Sequence, residues 1–308
     1  MALTYVTVDV FTDIRFGGNQ LSVVLEASGL DTELMQSIAA EFSYAETTFV
    51  LPPADPANTA EVRIFTPKAE LPFAGHPNVG TAFALARLGE VFGKPVGDTV
   101  QFEEKAGLVP VEIQRSESGP TGARLTSPQA FTLGDSLRAE VVAACCGIEP
   151  GGIAVAGAPG AHEPTIASCG VPFVFACATS PEVVARARPD TRAFAKHLPP
   201  STAVGIELYA PAAGSAPDGA DITARVFAPE FGVTEDAATG SANVALAGLL
   251  AALDTAGSTE LVTTISQGVG MGRPSLLVAE ADKRDGTVTE TRIGGHCVPV
   301  MEGSMSLD

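Results

Sequence analysis

The chain contains one segment twice, and this internal repeat constrains its fold more than any other feature. The copies are RIFTPKAELPFAGHPNVGTAFAL at residues 63–85 and RVFAPEFGVTEDAATGSANVALAGLL at residues 225–250. Their Arg-x-Phe-x-Pro ends align at one offset, and their Gly-x-x-Asn-Val ends align at an offset larger by three, so the second copy carries three extra residues. Because either offset is close to half of the chain, the repeat predicts two structurally similar halves, each with a strand, a turn and a helix.

Each copy continues into a strongly apolar helix that a glycine opens. Gly75 and Gly240 permit a turn that a Cβ atom would hinder. The first turn of a helix leaves backbone N–H groups without partners and carries partial positive charge, so it binds a carboxylate or a phosphate readily. We therefore expect one small anionic substrate at these two helix starts, held between the halves.

The composition limits which partners the protein can have. With 45% hydrophobic and 18% charged residues, the chain can bury a core in each of two medium-sized domains. Its net charge of −18 disfavours nucleic acid and anionic membrane surfaces, both of which attract clustered cations. No apolar run is long enough to span a bilayer, and the first residues alternate like a strand, not like a signal peptide. We expect a cytoplasmic protein.

The cysteines give no sign of a disulfide framework or a metal site. They form no CxxC pair, and their number, five, is odd. None lies in either copy of the repeat. The sequence predicts that they are small buried apolar residues: Cys145, Cys146, Cys169, Cys177 and Cys297.

The hydrophobic pattern predicts mostly strands, with a few helices. One helix spans residues 31–42 with Asp31 as its N-cap, another spans 135–146, and a third begins at Ser180-Pro181 and is interrupted at Pro189. Residues 211–219 are predicted to be a hairpin loop within a domain. The strands are predicted at 5–11, 21–25, 46–51, 60–65, 99–102, 108–113, 123–126, 205–210, 222–227, 260–266, 275–280, 287–293 and 297–301.

The two helices of the repeat lack a polar face over residues 79–88 and 244–253. A helix that is apolar all round is enclosed on every side. The pattern therefore favours an α+β fold in which a curled sheet wraps each helix, with a crossover between the halves near residues 119–122.

Six motifs in this chain resemble the phenazine-biosynthesis PhzF-like family in their order. They are FTDIRFGGNQLSVV, AETTFV, GHPNVGTAFAL, EDAATGSANVALAGLL, QGVGMGRPS and a late GGHCV, and together they cover nearly the whole chain. The resemblance implies the diaminopimelate-epimerase-like fold, which has two pseudo-symmetric halves, each an antiparallel barrel-like sheet around a central apolar helix. It also implies an active site in the cleft between the halves, a C-terminal segment 294–308 that returns to the first half (1–121, against 122–293), and a homodimer.

By the same resemblance, the glutamate of AETTFV, Glu46, matches the acid/base residue of the family. His76 of GHP and Asp236 of EDAATGSA match the residues that position the substrate and tune this acid. The resemblance further implies substrate-binding roles for Asn19, Gly75, Thr239, Gly240 and Ser241.

Taken singly, these residues have ordinary structural explanations. Glu46 would be a solvated residue at a strand start, and His76 a helix-start residue bonded to backbone. Asp236 and Ser241 would complement or cap a helix N-terminus. Asn19 would be a turn residue. Their joint occurrence in the family's order is what favours function.

Three other chemistries fit less well. A two-thiol epimerase needs a cysteine before each helix, but Ala74 and Ala237 stand near those places, the latter where the family usually has proline. A hydrolytic triad of His76, Asp236 and Ser241 lacks the GxSxG elbow. The glycines at 268–272 lack the spacing of a nucleotide-binding loop.

The sequence therefore predicts a cofactor-independent isomerase that moves a proton between carbons of a small carboxylate-bearing substrate, with Glu46 as acid and base. The namesake substrate of the resembled family is trans-2,3-dihydro-3-hydroxyanthranilate. Two alternatives stay open: a racemase, epimerase or lyase acting on another amino or hydroxy acid, and a non-catalytic metabolite-binding protein. Deuterium wash-in separates an enzyme from a binder.

Overall fold

A computed structural model describes residues 2–157, 160–216 and 218–307. Its contacts divide the chain into two compact units, Met1–Pro128 with Gly294–Asp308, and Gln129–Ile293. The boundaries of the two halves given above remain predictions. No helix within the described ranges is both long enough and apolar enough to cross a membrane.

Strands make up most of the regular structure, as the pattern predicted. In chain order they are β1 (Ala2–Val10), β2 (Asn19–Val24), β3 (Glu46–Leu51), β4 (Ala60–Phe65), β5 (Glu70–Leu71), β6 (Glu90–Val91), β7 (Lys94–Pro95), β8 (Thr99–Glu104), β9 (Gly107–Ser116), β10 (Gly119–Thr126), β11 (Thr132–Ser136), β12 (Thr165–Ser168), β13 (Pro172–Cys177), β14 (Gly205–Pro211), β15 (Ile222–Ala228), β16 (Val233–Asp236), β17 (Thr259–Gln267), β18 (Ser275–Arg284) and β19 (Thr287–Ser306). The α-helices are α1 (Thr32–Phe42), α2 (Gly75–Leu88), α3 (Ala139–Cys146), α4 (Pro181–Arg186), α5 (Thr191–His197) and α6 (Gly240–Leu253).

The first unit is a closed barrel. Its pairs run β1–β2, β2–β3, β3–β4, β4–β8, β8–β9, β9–β10 and β10–β19, and β19 pairs with β1 to complete the ring. The β2–β3 and β4–β8 pairs are parallel. Closure leaves no free sheet edge along this ring, so every one of its strands has a neighbour on both sides.

Helix α2 runs through the inside of this barrel. It contacts β1, β2, β3, β9 and β10, and its residues from Gly75 to Ala86 are all buried. Helix α1 packs on the outside, where Met35 and Ile38 join a cluster with Phe49 and Phe65. The predicted N-cap of α1 is confirmed, because the Asp31 side chain accepts a hydrogen bond from the Leu34 N–H at 2.8 Å. Both helices therefore have the roles that their residue patterns predicted.

The second unit repeats this plan. Its strand pairs run β11–β12, β12–β13, β13–β14, β14–β15, β15–β17 and β17–β18, with β13–β14 and β15–β17 parallel. Helix α6 contacts β12, β13, β17 and β18 and is buried on all sides except at a few positions. Helices α3, α4 and α5 pack on the other face of β13 and β14 and form a separate apolar cluster. The predicted enclosure of both apolar helices is confirmed.

Two local predictions have different outcomes. The helix predicted over residues 135–146 is wrong at its start, because Asp135 lies in β11 and the helix begins at Ala139. Strand pairing explains the difference, since Thr132 and Ser136 pair with β12 and hold this segment extended. The predicted hairpin loop is confirmed, because β14 and β15 are antiparallel neighbours on either side of it.

Candidate functional site

In both units an arginine–glutamate ion pair, called the brace below, precedes the central helix. Arg63 binds Glu70 through two parallel contacts, Nε to Oε1 at 2.8 Å and Nη2 to Oε2 at 2.9 Å. Arg225 binds Glu235 in the same way, with both contacts at 2.7 Å. Two-point pairing between a guanidinium and a carboxylate fixes orientation as well as distance. The brace therefore ties the strand of each repeat to the segment that leads into the helix.

The brace also locates the three extra residues of the second copy. Seven positions separate Arg63 from Glu70, whereas ten separate Arg225 from Glu235. The insertion therefore lies between arginine and glutamate, where the second copy forms a 3₁₀ turn at Pro229–Phe231. From the glutamate onward the two copies stay in step through the helix start without a further gap.

A buried asparagine closes the first turn of each central helix. Asn78 Nδ2 donates to the Ala74 carbonyl at 3.0 Å, and Asn243 Nδ2 donates to the Thr239 carbonyl at 2.9 Å. Both asparagines are fully buried. The residues immediately before the helices are thus Ala74 and Thr239, and neither carries a thiol. This geometry supports the exclusion of a two-thiol epimerase.

In the first unit, the start of α2 brings Glu46 and His76 together. His76 is the second residue of α2, and Glu46 is the first residue of β3. The His76 Nε2 atom lies 3.2 Å from Glu46 Oε2, although the two groups are not aligned as a regular hydrogen bond. Both side chains are largely removed from solvent, with 6% and 16% of their surface exposed. The fold thereby brings two groups that are far apart in the sequence into direct contact.

The burial of His76 decides its charge. Burial lowers the pKa of His76 to about 3, and a hydrogen bond with the Gln20 backbone opposes this shift only in part. The imidazole is therefore neutral at pH 7, and it adds no positive charge beside Glu46. A neutral imidazole has one donor and one acceptor nitrogen, so it can share a single proton with the carboxyl group that faces it.

In the second unit, Asp236 and Thr239 form the corresponding polar group before α6. The Thr239 hydroxyl donates to Asp236 Oδ2 at 2.7 Å. Gln267 connects the rest: its Oε1 accepts from the Asn243 amide at 2.8 Å and from the Thr239 N–H at 3.2 Å. Its Nε2 donates to the Asp236 carbonyl at 2.9 Å and to Thr239 Oγ1 at 3.1 Å. The segment from the end of β16 to the start of α6 is therefore held by these hydrogen bonds.

The remaining predicted substrate-binding residues lie at the ends of the same elements. Asn19 is the buried first residue of β2, and Gly75 and Gly240 are the buried first residues of α2 and α6. Ser241 follows Gly240 and is partly exposed. Each unit thus gathers its own predicted residues at one helix start: Asn19, Glu46, Gly75 and His76 in the first unit, and Asp236, Thr239, Gly240 and Ser241 in the second.

The repeat is symmetric in its backbone but not in its reactive groups. Arg63 pairs with Phe49, and Arg225 pairs with Leu208. Three residues earlier on each strand, Glu46 in the first unit corresponds to Gly205 in the second. When the two helix starts are aligned, Ser241 stands in place of His76, and Leu71 stands in place of Asp236. The carboxyl–imidazole pair of the first unit therefore has no counterpart at the aligned positions of the second unit, and the aspartate–threonine pair has none at those of the first.

The thiols of this chain are buried, and no metal-binding cluster occurs among the residues that the structure describes. None of the five cysteines forms a disulfide, and all five are buried. Burial raises the pKa of Cys145 and Cys177 to about 11 and that of Cys297 to about 12, so these thiols stay protonated at pH 7. The described residues contain no group of three or more His, Cys, Asp or Glu side chains able to hold a metal ion. The glycines at 268–272 form a 3₁₀ turn between β17 and β18, not a loop before a helix.

Sequence reasoning missed one residue that the structure places among the candidates. Gln267 is only the first letter of the QGVGMGRPS motif in sequence, yet it makes four hydrogen bonds to the segment before α6 and to Asn243. The parallel pairing of β15 with β17 brings it there across 28 residues. An alignment of the two halves of the sequence that extended to the end of β17 would have pointed to Gln267.

Comparisons with known proteins agree with this arrangement. Residues 8–303 match the model of a family described as phenazine biosynthesis-like protein. An uncharacterised isomerase from Mesorhizobium japonicum is 36% identical over 308 residues, covering 98% of each chain. Trans-2,3-dihydro-3-hydroxyanthranilate isomerase from Pseudomonas fluorescens is 32% identical over 305 residues, covering 98% of this chain and 99% of that one. The crystal structure of a Bacillus anthracis phenazine biosynthesis protein of the PhzF family matches with a TM-score of 0.85 over 100% of both chains, at 24% identity.

Proposed function

The chain belongs to the phenazine biosynthesis-like family, and from this premise we propose that it is an isomerase that moves a proton between two carbons of a small carboxylate-bearing substrate. The namesake substrate, trans-2,3-dihydro-3-hydroxyanthranilate, is the first candidate, because a relative that matches almost end to end is named for that reaction. Family membership gives the scaffold and the reaction type, while the substrate depends on the residues of the site.

One observation carries this proposal: a carboxyl group and a neutral imidazole face each other at 3.2 Å beside the start of a buried helix. A carboxyl group in this position can accept a proton from one carbon and return it to another. The overall reaction then neither gains nor loses a proton, because Glu46 ends each turnover in the state in which it began. His76 shares a proton with Glu46 and so orients the carboxyl group.

The start of α2 supplies the second requirement, a place for the substrate's negative charge. Backbone N–H groups at Gly75 and His76 belong to the first turn, where the helix dipole favours an anion. His76 is neutral, so the substrate carboxylate meets dipoles there instead of a competing ion pair. We propose that Gly75 and Asn19 bind this end of the substrate.

We propose that Asp236, Thr239, Gly240 and Ser241 bind the amino or hydroxyl group of the same substrate. The support is the family resemblance of the EDAATGSA segment together with the fixed Asp236–Thr239 contact of 2.7 Å. A carboxylate that is held in place accepts hydrogen bonds from an ammonium or hydroxyl group without reorganisation. We also propose, from the same resemblance, that the protein is a homodimer.

The test is proton NMR in D₂O with purified protein and trans-2,3-dihydro-3-hydroxyanthranilate, run with the native chain and with Glu46→Gln. Glutamine keeps the size of Glu46 and one acceptor oxygen but cannot carry the transferred proton. We expect the native protein to consume the substrate and to place deuterium on carbon in the product. Glu46→Gln should slow this by about 10²- to 10⁴-fold, the usual contribution of a positioned acid or base.

The control is Glu41→Gln, which removes one carboxylate from the exposed end of α1. It should leave the rate unchanged, and circular dichroism should show that both variants are folded. Turnover that survives in Glu46→Gln would refute the role of Glu46. Absence of turnover by the native protein would refute the namesake substrate, and the same exchange assay would then be applied to other amino and hydroxy acids.

A further inference from the structure

A second acid, Glu104, lies inside the first unit beside the start of α2. It is the last residue of β8, and both of its carboxyl oxygens are buried without an aligned hydrogen-bond partner among the described residues. Burial raises the pKa of Glu104 to about 8, and the neighbouring Asn78 side chain opposes this rise. The proton transfer proposed above does not use this acid, so its position calls for another explanation.

The internal repeat identifies the counterpart of Glu104. The first residues of β4 and β15 are equivalent in the repeat, and they pair with Phe102 and Ile265, respectively. Two residues after Phe102 in β8 lies Glu104, and two residues after Ile265 in β17 lies Gln267. Gln267 is the residue that holds the segment before α6, and its partner Asn243 corresponds to Asn78. Glu104 and Asn78 therefore occupy the positions of a working hydrogen-bond network in the other unit.

The chemistry of the two side chains explains how an acid can replace an amide here. Gln267 uses its oxygen as an acceptor for Asn243 and its nitrogen as a donor to the Asp236 carbonyl. A protonated carboxyl group also has one acceptor oxygen and one O–H donor, whereas an ionised carboxylate can only accept. A neutral glutamic acid can thus make the bonds of glutamine, and its ionised form cannot.

We propose that Glu104 is a positioning residue: as a neutral acid it accepts from Asn78 and donates to the backbone before α2, and so holds the helix start at which His76 and the substrate carboxylate lie. This inference rests on the proposed function for its effect on the substrate, but not for its effect on the helix start. The anchoring is supported nearby, where the Ala106 N–H donates to the Pro72 carbonyl at 3.1 Å and joins the end of β8 to the same segment.

The charges around Glu104 do not favour its ionisation. Arg63 and Lys105 both bind Glu70, and Glu103 accepts two backbone N–H groups of the loop between β3 and β4. Helix α2 contributes His76, which is neutral. The charged groups on the strands packed around Glu104 are Glu61, Arg63, Glu70, Glu103 and Lys105. Arg63 and Lys105 share Glu70, and the three carboxylates of this set outnumber its two cations, so no unpaired positive charge favours an ionised Glu104.

Ionisation of Glu104 should therefore change the helix start in two ways. The O–H donor to the backbone disappears, and a negative charge arises behind the turn that binds the substrate carboxylate. Like charges repel, and the repulsion is stronger in a site of low dielectric constant. We therefore expect weaker substrate binding above pH 8, which raises KM more than it lowers kcat.

The first test needs no substrate. The protein is labelled with ¹³C at the glutamate carboxyl carbons and with ¹⁵N at the amides, and titrated from pH 5 to pH 10 as the native chain and as Glu104→Gln. We expect two carboxyl signals with midpoints near 8, from Glu104 and Glu207, of which one is missing in Glu104→Gln. The amide signals of Gly75, His76 and Asn78 should shift with the same midpoint in the native protein and stay constant in the variant.

The second test measures the pH dependence of KM with trans-2,3-dihydro-3-hydroxyanthranilate. KM of the native protein should rise by roughly tenfold for each pH unit above the midpoint, and Glu104→Gln should abolish this rise. Glu104→Ala, which removes donor and acceptor together, should have a kcat/KM roughly 10- to 100-fold lower than that of Glu104→Gln at every pH. The matched control is Glu207→Gln, which removes a buried acid of similar pKa from the second unit and should leave the rise in KM intact.

The two tests separate this inference from the proposed function. If the native protein turns over no substrate, the amide titration still decides whether Glu104 controls the helix start. Amides that do not titrate near pH 8, or that titrate equally in Glu104→Gln, would overturn the proposal. So would a rise in KM that persists in Glu104→Gln, or a Glu104→Gln variant as impaired as Glu104→Ala.

Discussion

Replacing Glu207 by glutamine should stabilise the protein, and increasingly so as the pH rises. Glu207 lies in β14 with none of its surface exposed, and neither carboxyl oxygen has a partner among the described residues. Its counterpart in the first unit is Thr48, whose hydroxyl bonds to Thr81 in α2 at 2.8 Å. The residue of α6 that corresponds to Thr81 is Leu246, so the second unit offers no such partner to Glu207.

The size of the effect follows from linkage between protonation and folding. Burial raises the pKa of Glu207 from 4.5 to about 8, so the folded protein keeps a proton that the unfolded chain releases. The contribution of the neutral acid is fully present below pH 4.5 and is lost as the pH rises towards 8. At about 1.36 kcal/mol per pH unit, the loss is about 3 kcal/mol at pH 7 and about 5 kcal/mol above pH 8, to an order of magnitude. Glutamine does not ionise, so Glu207→Gln escapes this loss.

The assay is urea unfolding of the native protein and of Glu207→Gln at pH 4.5, 6, 7 and 8, followed by far-UV circular dichroism. The free energies of unfolding should agree within about 1 kcal/mol at pH 4.5, and the variant should gain about 3 kcal/mol over the native protein by pH 7. Taking the difference between two chains cancels the contribution of Glu104, which both retain. A difference that stays constant from pH 5 to pH 8 would refute the argument, because Glu207 would then have the same pKa in both states.

Two further predictions concern the site and the barrel. Asp236→Asn keeps an oxygen that can accept from Thr239 but removes the charge, so kcat/KM should fall by roughly 10²-fold while the melting temperature changes little; unchanged kinetics would exclude Asp236 from substrate binding. Gly122→Ala should destabilise the first unit by about 1–3 kcal/mol in urea unfolding, because its Cβ would lie 2.1 Å from the Gly295 carbonyl oxygen in the neighbouring strand. Gly97→Ala is its control, since the nearest atom to an added Cβ there is 3.8 Å away, and equal losses in the two variants would contradict this explanation.

Much of the fold could be predicted because the repeated segment indicates two halves with the same order of elements. Two apolar helices without a polar face imply a sheet around each of them, and the structure confirms this for α2 and α6. The start of α3 could not be predicted, because the helical pattern of residues 135–146 includes Asp135 and Ser136, and only the pairing of Ser136 with β12 holds this end extended. Local pattern decides an element when no distant strand competes for the same residues.

The candidate site divides in the same way. Motifs pointed to Glu46 and His76, but their contact of 3.2 Å depends on β3 starting beside the first turn of α2. Gln267 and Glu104 could not be assigned from their neighbours in sequence, since their partners are reached through the parallel pairs β15–β17 and β4–β8. The roles of these two residues follow from which strands lie side by side.

The amino-acid sequence by itself determined the two similar halves, the enclosed helices and the family. Each of these depends only on the local pattern or the identity of residues. Only the tertiary structure decided which groups are charged. His76 is neutral because it is buried, and Glu104 and Glu207 keep their protons because water does not reach their carboxyl groups. Desolvation is a property of everything that surrounds a group, and residues far apart in the chain supply those surroundings.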